Sequence, residues 1–228
     1  MGAWIVTPSV LDLLVNQWTL WVGAAWTTCS IVLRSTALSL TLGGLLGYVL
    51  SRQCSWKLTK KVAAGVAFVL RAVPFYVQLS AAYFAIPQLS PIHWDAITAA
   101  WVALGVCSSG YVSQLISGCL DQVGRSQWET AMVLGYSRWQ TLRHVIAPQL
   151  LQAALPGIAN ELDSMVKSTA VLSTIGIVEL TRMGQNTVSK TLDPAPTYLL
   201  LAVLYCLLSV GLRAIVRTLQ RRGCYVGV

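Results

Sequence analysis

The sequence predicts an all-α integral membrane protein of about five transmembrane helices, with its N-terminus outside and its C-terminus cytoplasmic. Three observations predict it. The chain is 55% hydrophobic and 11% charged, where a soluble domain carries about 25% charged residues. Apolar runs near the roughly 20 residues needed to cross a bilayer recur along the chain. The Lys and Arg residues fall almost entirely on one side of those runs. At 228 residues there is room for about five spans with short loops and for no further soluble domain, so residues 1–228 read as one transmembrane domain.

The first span is expected at residues 31–50, where Gly43, Gly44 and Gly47 permit close helix contact. Ahead of it, Trp18, Trp21 and Trp26 suggest an interfacial approach. Residues 1–20 have no basic stretch before their apolar part and do not read as a cleaved signal peptide. The second apolar segment, residues 62–87, is interrupted by Arg71 and Pro74, so its membrane part is expected from about Ala67. The third is residues 96–120, with Trp94 and Trp101 at its outer end. The fourth, residues 149–177, contains polar residues and has room for a re-entrant piece. The fifth is residues 198–216.

Charge sets the orientation. Arg52, Lys57, Lys60, Lys61, Arg125, Arg138, Arg143, Arg213, Arg217, Arg221 and Arg222 would share one side, and Arg182 and Lys190 the other. This 11-to-2 bias assigns the first group to the cytoplasm. It also accounts for the net charge of +8 without a nucleic-acid partner. Arg34, Arg71 and Lys167 lie in or beside spans; Arg34 falls roughly 27 Å from Arg52 along a helix, near the outer surface. The six cysteines form no Cys-x-x-Cys pair and read as small hydrophobes. His93 and His144 stand alone, without the spacing of metal ligands, so no metal site is expected.

Residues 121–148, expected in the cytoplasm, are not membrane-like. Ser126 with Glu129 has the spacing of a capping box. Gly135 can close that helix in a left-handed conformation. Ser137 with Gln140 repeats the cap signal, and the second helix turns Trp139, Leu142, Val145 and Ile146 towards one side while Arg138 and Arg143 face polar surroundings. Pro148 suits the start of the next helix. Two short helices with a sharp turn can lie on lipid headgroups or dock on a protein, and the physics of the residues leaves both open.

The order Glu129-Thr130-Ala131, three residues, Gly135, nine residues, Val145-Ile146-Ala147-Pro148 resembles the signature loop of permeases of binding-protein-dependent ABC importers, Glu-Ala-Ala, Gly, Ile-x-Leu-Pro. The resemblance covers nearly the whole chain and looks most like the polar amino-acid branch. Arg71-Ala72-Val73-Pro74 with Gln78-Leu79 and Tyr83-Phe84 is similar to that branch's Arg-Gly-Thr-Pro, Gln-Leu and Tyr-Phe. Gly124-Arg125-Ser126-Gln127-Trp128-Glu129 resembles its Lys-Gly-Gln-Trp-Glu lead-in. Leu155-Pro156, Asn160-Glu161, Lys167-Ser168-Thr169, Ile175-Gly176-Ile177 and Glu179-Leu180-Thr181-Arg182 match its fourth-span region in order.

The resemblance implies a type I importer permease fold in the bacterial inner membrane. It implies as partners an external or periplasmic binding protein, a second permease subunit (identical or paralogous), ABC ATPase subunits and the surrounding lipid. ATP and Mg would be used by the ATPase, not by this chain. The loop would be the coupling element, with Glu129, Ala131 and Gly135 at the ATPase contact and Ser137, Trp139 and Arg143 beside them. The cargo would be a polar amino acid such as arginine, glutamine or histidine, with methionine or another small solute as the alternative. The chain departs from the branch where Tyr-x-x-Glu-x-x-Arg is usual: Gln114 and Ser117 replace both charges. The usual Lys-Asp-Thr-Ser is Lys167-Ser168-Thr169-Ala170.

Polar groups in the spans are the candidates for the translocation path, because a charge in hydrocarbon costs about 2.5–3.5 kcal/mol on insertion scales. Lys167 either lines the path or pairs with Asp163, four residues earlier on the same helical face, in preference to Glu161. Arg71 is either an interfacial anchor or a gate. Gln78, Tyr83, Gln114 and Glu161 complete the set. No phosphate-binding Gly-x-x-x-x-Gly-Lys-Ser/Thr loop and no Ser/His/Asp set is present, so no catalytic residue is expected. A secondary transporter would need internal repeats, and none is evident.

Overall fold

Helix α1 (Trp18–Leu50) runs unbroken for 33 residues, about 50 Å at 1.5 Å per residue. The computed structural model describes residues 18–223 apart from Gln53, Ser55 and Ile92, with backbone alone at Arg125, Leu219 and residues 221–223. The signal-peptide reading therefore lies mostly outside the described residues, as does Cys224. The interfacial approach expected before residue 31 is part of α1 itself. No charge interrupts residues 18–30, and the hydroxyls of Thr27 and Thr28 bond back to the carbonyls of Gly23 and Ala24. Trp21 is buried against Leu180, Met183 and Leu201, while Trp18 and Trp26 are exposed.

The second apolar segment is two helices, α2 (Lys57–Ala72) and α3 (Phe75–Leu89), bent by 98°. The residue before a proline is pushed out of helical geometry, and Val73 is extended at φ −83°, ψ 127°. The amide of Gln78 spans the break, donating to the carbonyls of Leu70 (2.8 Å) and Val73 (2.9 Å).

Helix α4 (Ala96–Val123) starts on Asp95, whose carboxylate accepts from the Thr98 N–H. The hydrogen bonds to Thr98 hold that carboxyl below the usual carboxylate range. Small residues let α1 and α4 touch closely. A Cβ on Gly43 would stand 2.7 Å from Val112 Cβ, and one on Gly47 2.8 Å from Ile116 Cβ. Gly44, expected in the same contact, faces open space. Serines bridge this seam: Ser35 donates to the Trp101 carbonyl at 2.9 Å and Ser39 to Ser108 at 2.9 Å. At the cytoplasmic end Asp121 accepts from the Arg52 N–H at 2.8 Å.

Helices α5 (Arg125–Val133) and α6 (Arg138–Thr141) follow, and α6 continues through a π turn (Leu142–Ile146) into α7 (Ala147–Ser168). Pro148 sits in the first turn of α7, as expected, although the π turn joins that helix to α6 without a break. It has no N–H for the His144 carbonyl, and the wider turn takes up the mismatch, with the Ala147 N–H reaching Leu142 O. A second π turn (Ala81–Ala85) precedes Pro87 in the same way. A 3-10 turn (Thr169–Ile175), α8 (Leu180–Thr191) and α9 (Pro194–Gly223) complete the chain.

Among the described residues three helices, α1, α4 and α9, are long and apolar enough to cross a membrane, or four if the bent pair α2–α3 is one span. Helix α7 occupies the fourth expected span but carries Asn160, Glu161, Asp163 and Lys167. The main core joins Ile31 and Val32 of α1, Leu79 of α3, Leu104 of α4 and Met165 of α7 to Leu172 and Ile175 of the 3-10 turn. Among the described residues the arrangement is all-helical, as the sequence predicts.

Candidate functional site

Two features stand out: the loop between α4 and α7, and a cavity at the break between α2 and α3. The loop begins at Gly124, whose φ of +76° turns the chain out of α4. Ser126 makes no cap: Gly124 holds the cap position and no side chain bonds there. The glycine's positive φ, not a hydroxyl, makes the reversal. Helix α5 closes as expected on Gly135 at φ +85°. The Tyr136 N–H donates to Ala131 O and the Gly135 N–H to Met132 O, both at 3.0 Å, the paired bonds of a Schellman closure. The capping box of α6 is present: the Gln140 N–H donates to Ser137 Oγ, and the Ser137 N–H to Gln140 Oε1 at 2.8 Å.

The loop presents apolar surface. Val133 (87% exposed), Leu134 (71%) and Trp139 (68%) stand out, with Met132 and Tyr136 beside them. Glu129, Ser137 and Arg143 are exposed as well. Ala131 is turned inward and buried, so its small side chain serves packing within the loop. Val133 and Leu134 were not singled out in the sequence. Their signal was position: two apolar residues directly before a left-handed glycine are carried to the tip of a turn.

The cavity has a volume of about 390 Å3. Residues 71–75 of the break form one wall, Leu104, Cys107, Ser108 and Tyr111 of α4 a second, and Glu161, Ser164, Met165 and Ser168 of α7 a third. Glu161 accepts from Ser108 Oγ at 2.6 Å, and Ser108 in turn accepts from Ser39. Arg71 donates through Nε to the Ala67 carbonyl at 3.2 Å. Among the described residues no ion pair joins Arg71 to Glu161, so both charges remain available to a third group. Ser168, which replaces an acidic residue of the resembled pattern, lies on the cavity wall.

The other path candidates lie elsewhere. Gln78 sits behind the break and holds it. Tyr83 packs on the core, edge-on to Phe84 at 4.9 Å. Gln114 is exposed on α4. Lys167 makes the intrahelical pair with Asp163 at 2.8 Å, and Arg213 of α9 shares the same carboxylate oxygen at 2.9 Å. The sequence assigns no role to a further buried carboxylate, although its segment is part of the resemblance. Glu179 caps α8, accepting from the Thr181 and Arg182 N–H groups at 2.8 Å each and from Tyr205 Oη at 3.0 Å. Glutamate is outside the usual capping residues, so composition gave no cue.

Comparison with known proteins places these features in company. A family model described as "binding-protein-dependent transport system inner membrane component" matches residues 39–223. The glutamine transport system permease protein of Escherichia coli (strain K12) is 32% identical over 184 residues, 80% of this chain and 83% of that protein. The arginine transport system permease protein of Bacillus subtilis (strain 168) is 28% identical over 200 residues, 85% of this chain and 89% of that one. Among solved structures, an amino acid ABC transporter with histidines matches with a TM-score of 0.81 and 28% identity, covering 95% of this chain and all of the other. An inward-facing methionine ABC transporter matches with a TM-score of 0.77 at 19% identity over 91% of this chain and 98% of the other, a likeness of fold alone.

Proposed function

Because the chain belongs to the inner membrane components of binding-protein-dependent transport systems, we propose that it forms half of a translocation pathway for a neutral polar amino acid of the glutamine kind. It is a permease subunit of an ATP-driven importer, and its family works with a binding protein and an ATPase. The observation that carries the substrate reading is the cavity holding Arg71 and Glu161 unpaired. An amino acid brings a carboxylate and an ammonium group on one carbon, and a guanidinium and a carboxylate facing one space complement both. The remaining polar lining is hydroxyl, from Ser108, Ser164 and Ser168. Hydroxyls suit an amide side chain, whereas a cationic side chain would call for a second carboxylate, and that position is Ser168.

The exposed tip at Val133, Leu134 and Trp139 would enter the groove of an ABC ATPase, with Gly135 and Ser137 setting its shape and Glu129 and Arg143 at its margins. The partner ATPase would use ATP and Mg; closing of its two copies would draw the loops together and change access to the cavity. A second permease subunit, identical or paralogous, would supply the other half of the path, and an external binding protein would deliver the solute. The test is uptake by the reconstituted complex with its binding protein and a panel of amino acids. Glutamine-like solutes should be preferred over arginine and methionine; a preference for arginine would overturn the neutral-substrate reading.

A further inference from the structure

The cytoplasmic end of α9 carries a basic cleft that the translocation reading does not use. Arg213, Arg217 and Gln220 lie on one face of that helix. With Pro156, Ala159 and Asn160 of α7 they line a cleft of about 230 Å3. It shares no lining residue with the Arg71–Glu161 cavity. Asp163 Oδ2 receives Arg213 Nη2 at 2.9 Å and Lys167 Nζ at 2.8 Å. One carboxylate thus already answers two cations, and the guanidinium of Arg213 is fixed with donors to spare. Among the described residues no carboxylate lines the cleft and none pairs with Arg217. The cleft therefore carries an excess of positive charge.

The same helix continues outwards as a stripe of exposed Leu199, Val203, Leu207 and Val210. At about 100° per residue these lie within about 80° of Arg217 around the axis. A basic cleft at the cytoplasmic end of an exposed apolar stripe has the layout of a lipid: phosphate below, acyl chains above. A free anion would make no use of the stripe. We propose that this cleft binds the phosphate of an anionic phospholipid of the cytoplasmic leaflet, with Arg213 and Arg217 holding the headgroup and the acyl chains lying along α9. The inference rests on the cytoplasmic placement of the C-terminal end and not on the identity of the transported solute.

The test uses the full transporter complex in nanodiscs of phosphatidylcholine with graded phosphatidylglycerol, with retained lipid counted by native mass spectrometry. The wild type is expected to retain phosphatidylglycerol in preference to phosphatidylcholine. Arg217→Gln should weaken that preference about fivefold, and Arg217→Lys should keep most of it. Inorganic phosphate should not displace the lipid. Equal retention of the two lipids by the wild type, or an unchanged preference in Arg217→Gln, overturns the proposal. Displacement by inorganic phosphate alone overturns it in favour of a free-anion site. Separation of the two permease subunits in Arg217→Gln with lipid retention unchanged overturns it in favour of a subunit contact.

Discussion

Gly135 separates two explanations of the loop between α5 and α6. Its φ of +85° lies in the left-handed region, yet a Cβ there meets nothing within 4 Å in this chain. Within the chain, a substitution therefore costs only backbone strain, about 1–2 kcal/mol for an ordinary residue and less for Asn, which visits this region. That cost alone opens the closure made by Tyr136 and Gly135 by a factor of roughly 5–30. An ATPase groove closing over the glycine adds a second cost that any side chain incurs, Asn included. The series Gly135→Asn, Gly135→Ala and Gly135→Val is read by ATPase co-purification and by uptake at matched membrane levels. Strain alone leaves Asn near wild type and lowers Ala and Val. Docking lowers all three, with Val at least about tenfold down in ATPase recovery, since each 1.4 kcal/mol is tenfold. Wild-type recovery and uptake in Gly135→Val would refute the docking assignment.

Glu161→Gln removes a charged partner worth about 1.5–3 kcal/mol, so the half-saturation of uptake should rise by one to two orders of magnitude; an unchanged value removes Glu161 from the path. Ser168→Asp adds a carboxylate to the cavity wall and should shift uptake from neutral towards cationic amino acids, as measured by competition. Gly47→Leu overpacks the α1–α4 seam and should lower stability by about 1–3 kcal/mol, seen as a lower thermal midpoint, while Gly44→Ala should stay within about 0.5 kcal/mol. Lys167→Met leaves Asp163 paired with Arg213. The buried Asp163 carboxylate thus keeps one cation and is not left uncompensated, so near-normal uptake is expected, and a collapse of affinity would place Lys167 in the path.

What the sequence made legible was local or periodic. The Ser137–Gln140 box, the Gly135 closure and the Asp163–Lys167 pair each lie within five residues, so spacing alone exposes them. Contacts across the fold were not legible. Arg213 joins Asp163 from 50 residues away, and Ser108 reaches Glu161 across 53. Gln78 looked like a lining group because it lies nearly on the face of Arg71; the 98° bend places its amide behind the break instead. Ser126 had the spacing of a cap, but Gly124 made it unnecessary by turning the chain two residues earlier. Gly44 shared the apparent helix-contact cluster with Gly43 and Gly47, yet lies a full 100° of helix rotation from Gly43 and meets no neighbour.

The π turn at residues 142–146 makes α6 and α7 one continuous helical rod rather than two jointed pieces. From Arg138 to Ser168 it extends about 45 Å, with exposed Trp139 near one end and the cavity residues Glu161, Ser164 and Ser168 near the other. A continuous rod carries force without a hinge. Along its length Gly157 packs closely on Leu115 of α4, and Asp163 is tied to Arg213 of α9. If the loop docks on an ATPase, a push on the short helix would reach the cavity wall along one helix without crossing a joint. Softening the rod at Pro156, or at the wide turn itself, would leave both ends intact and disconnect them mechanically.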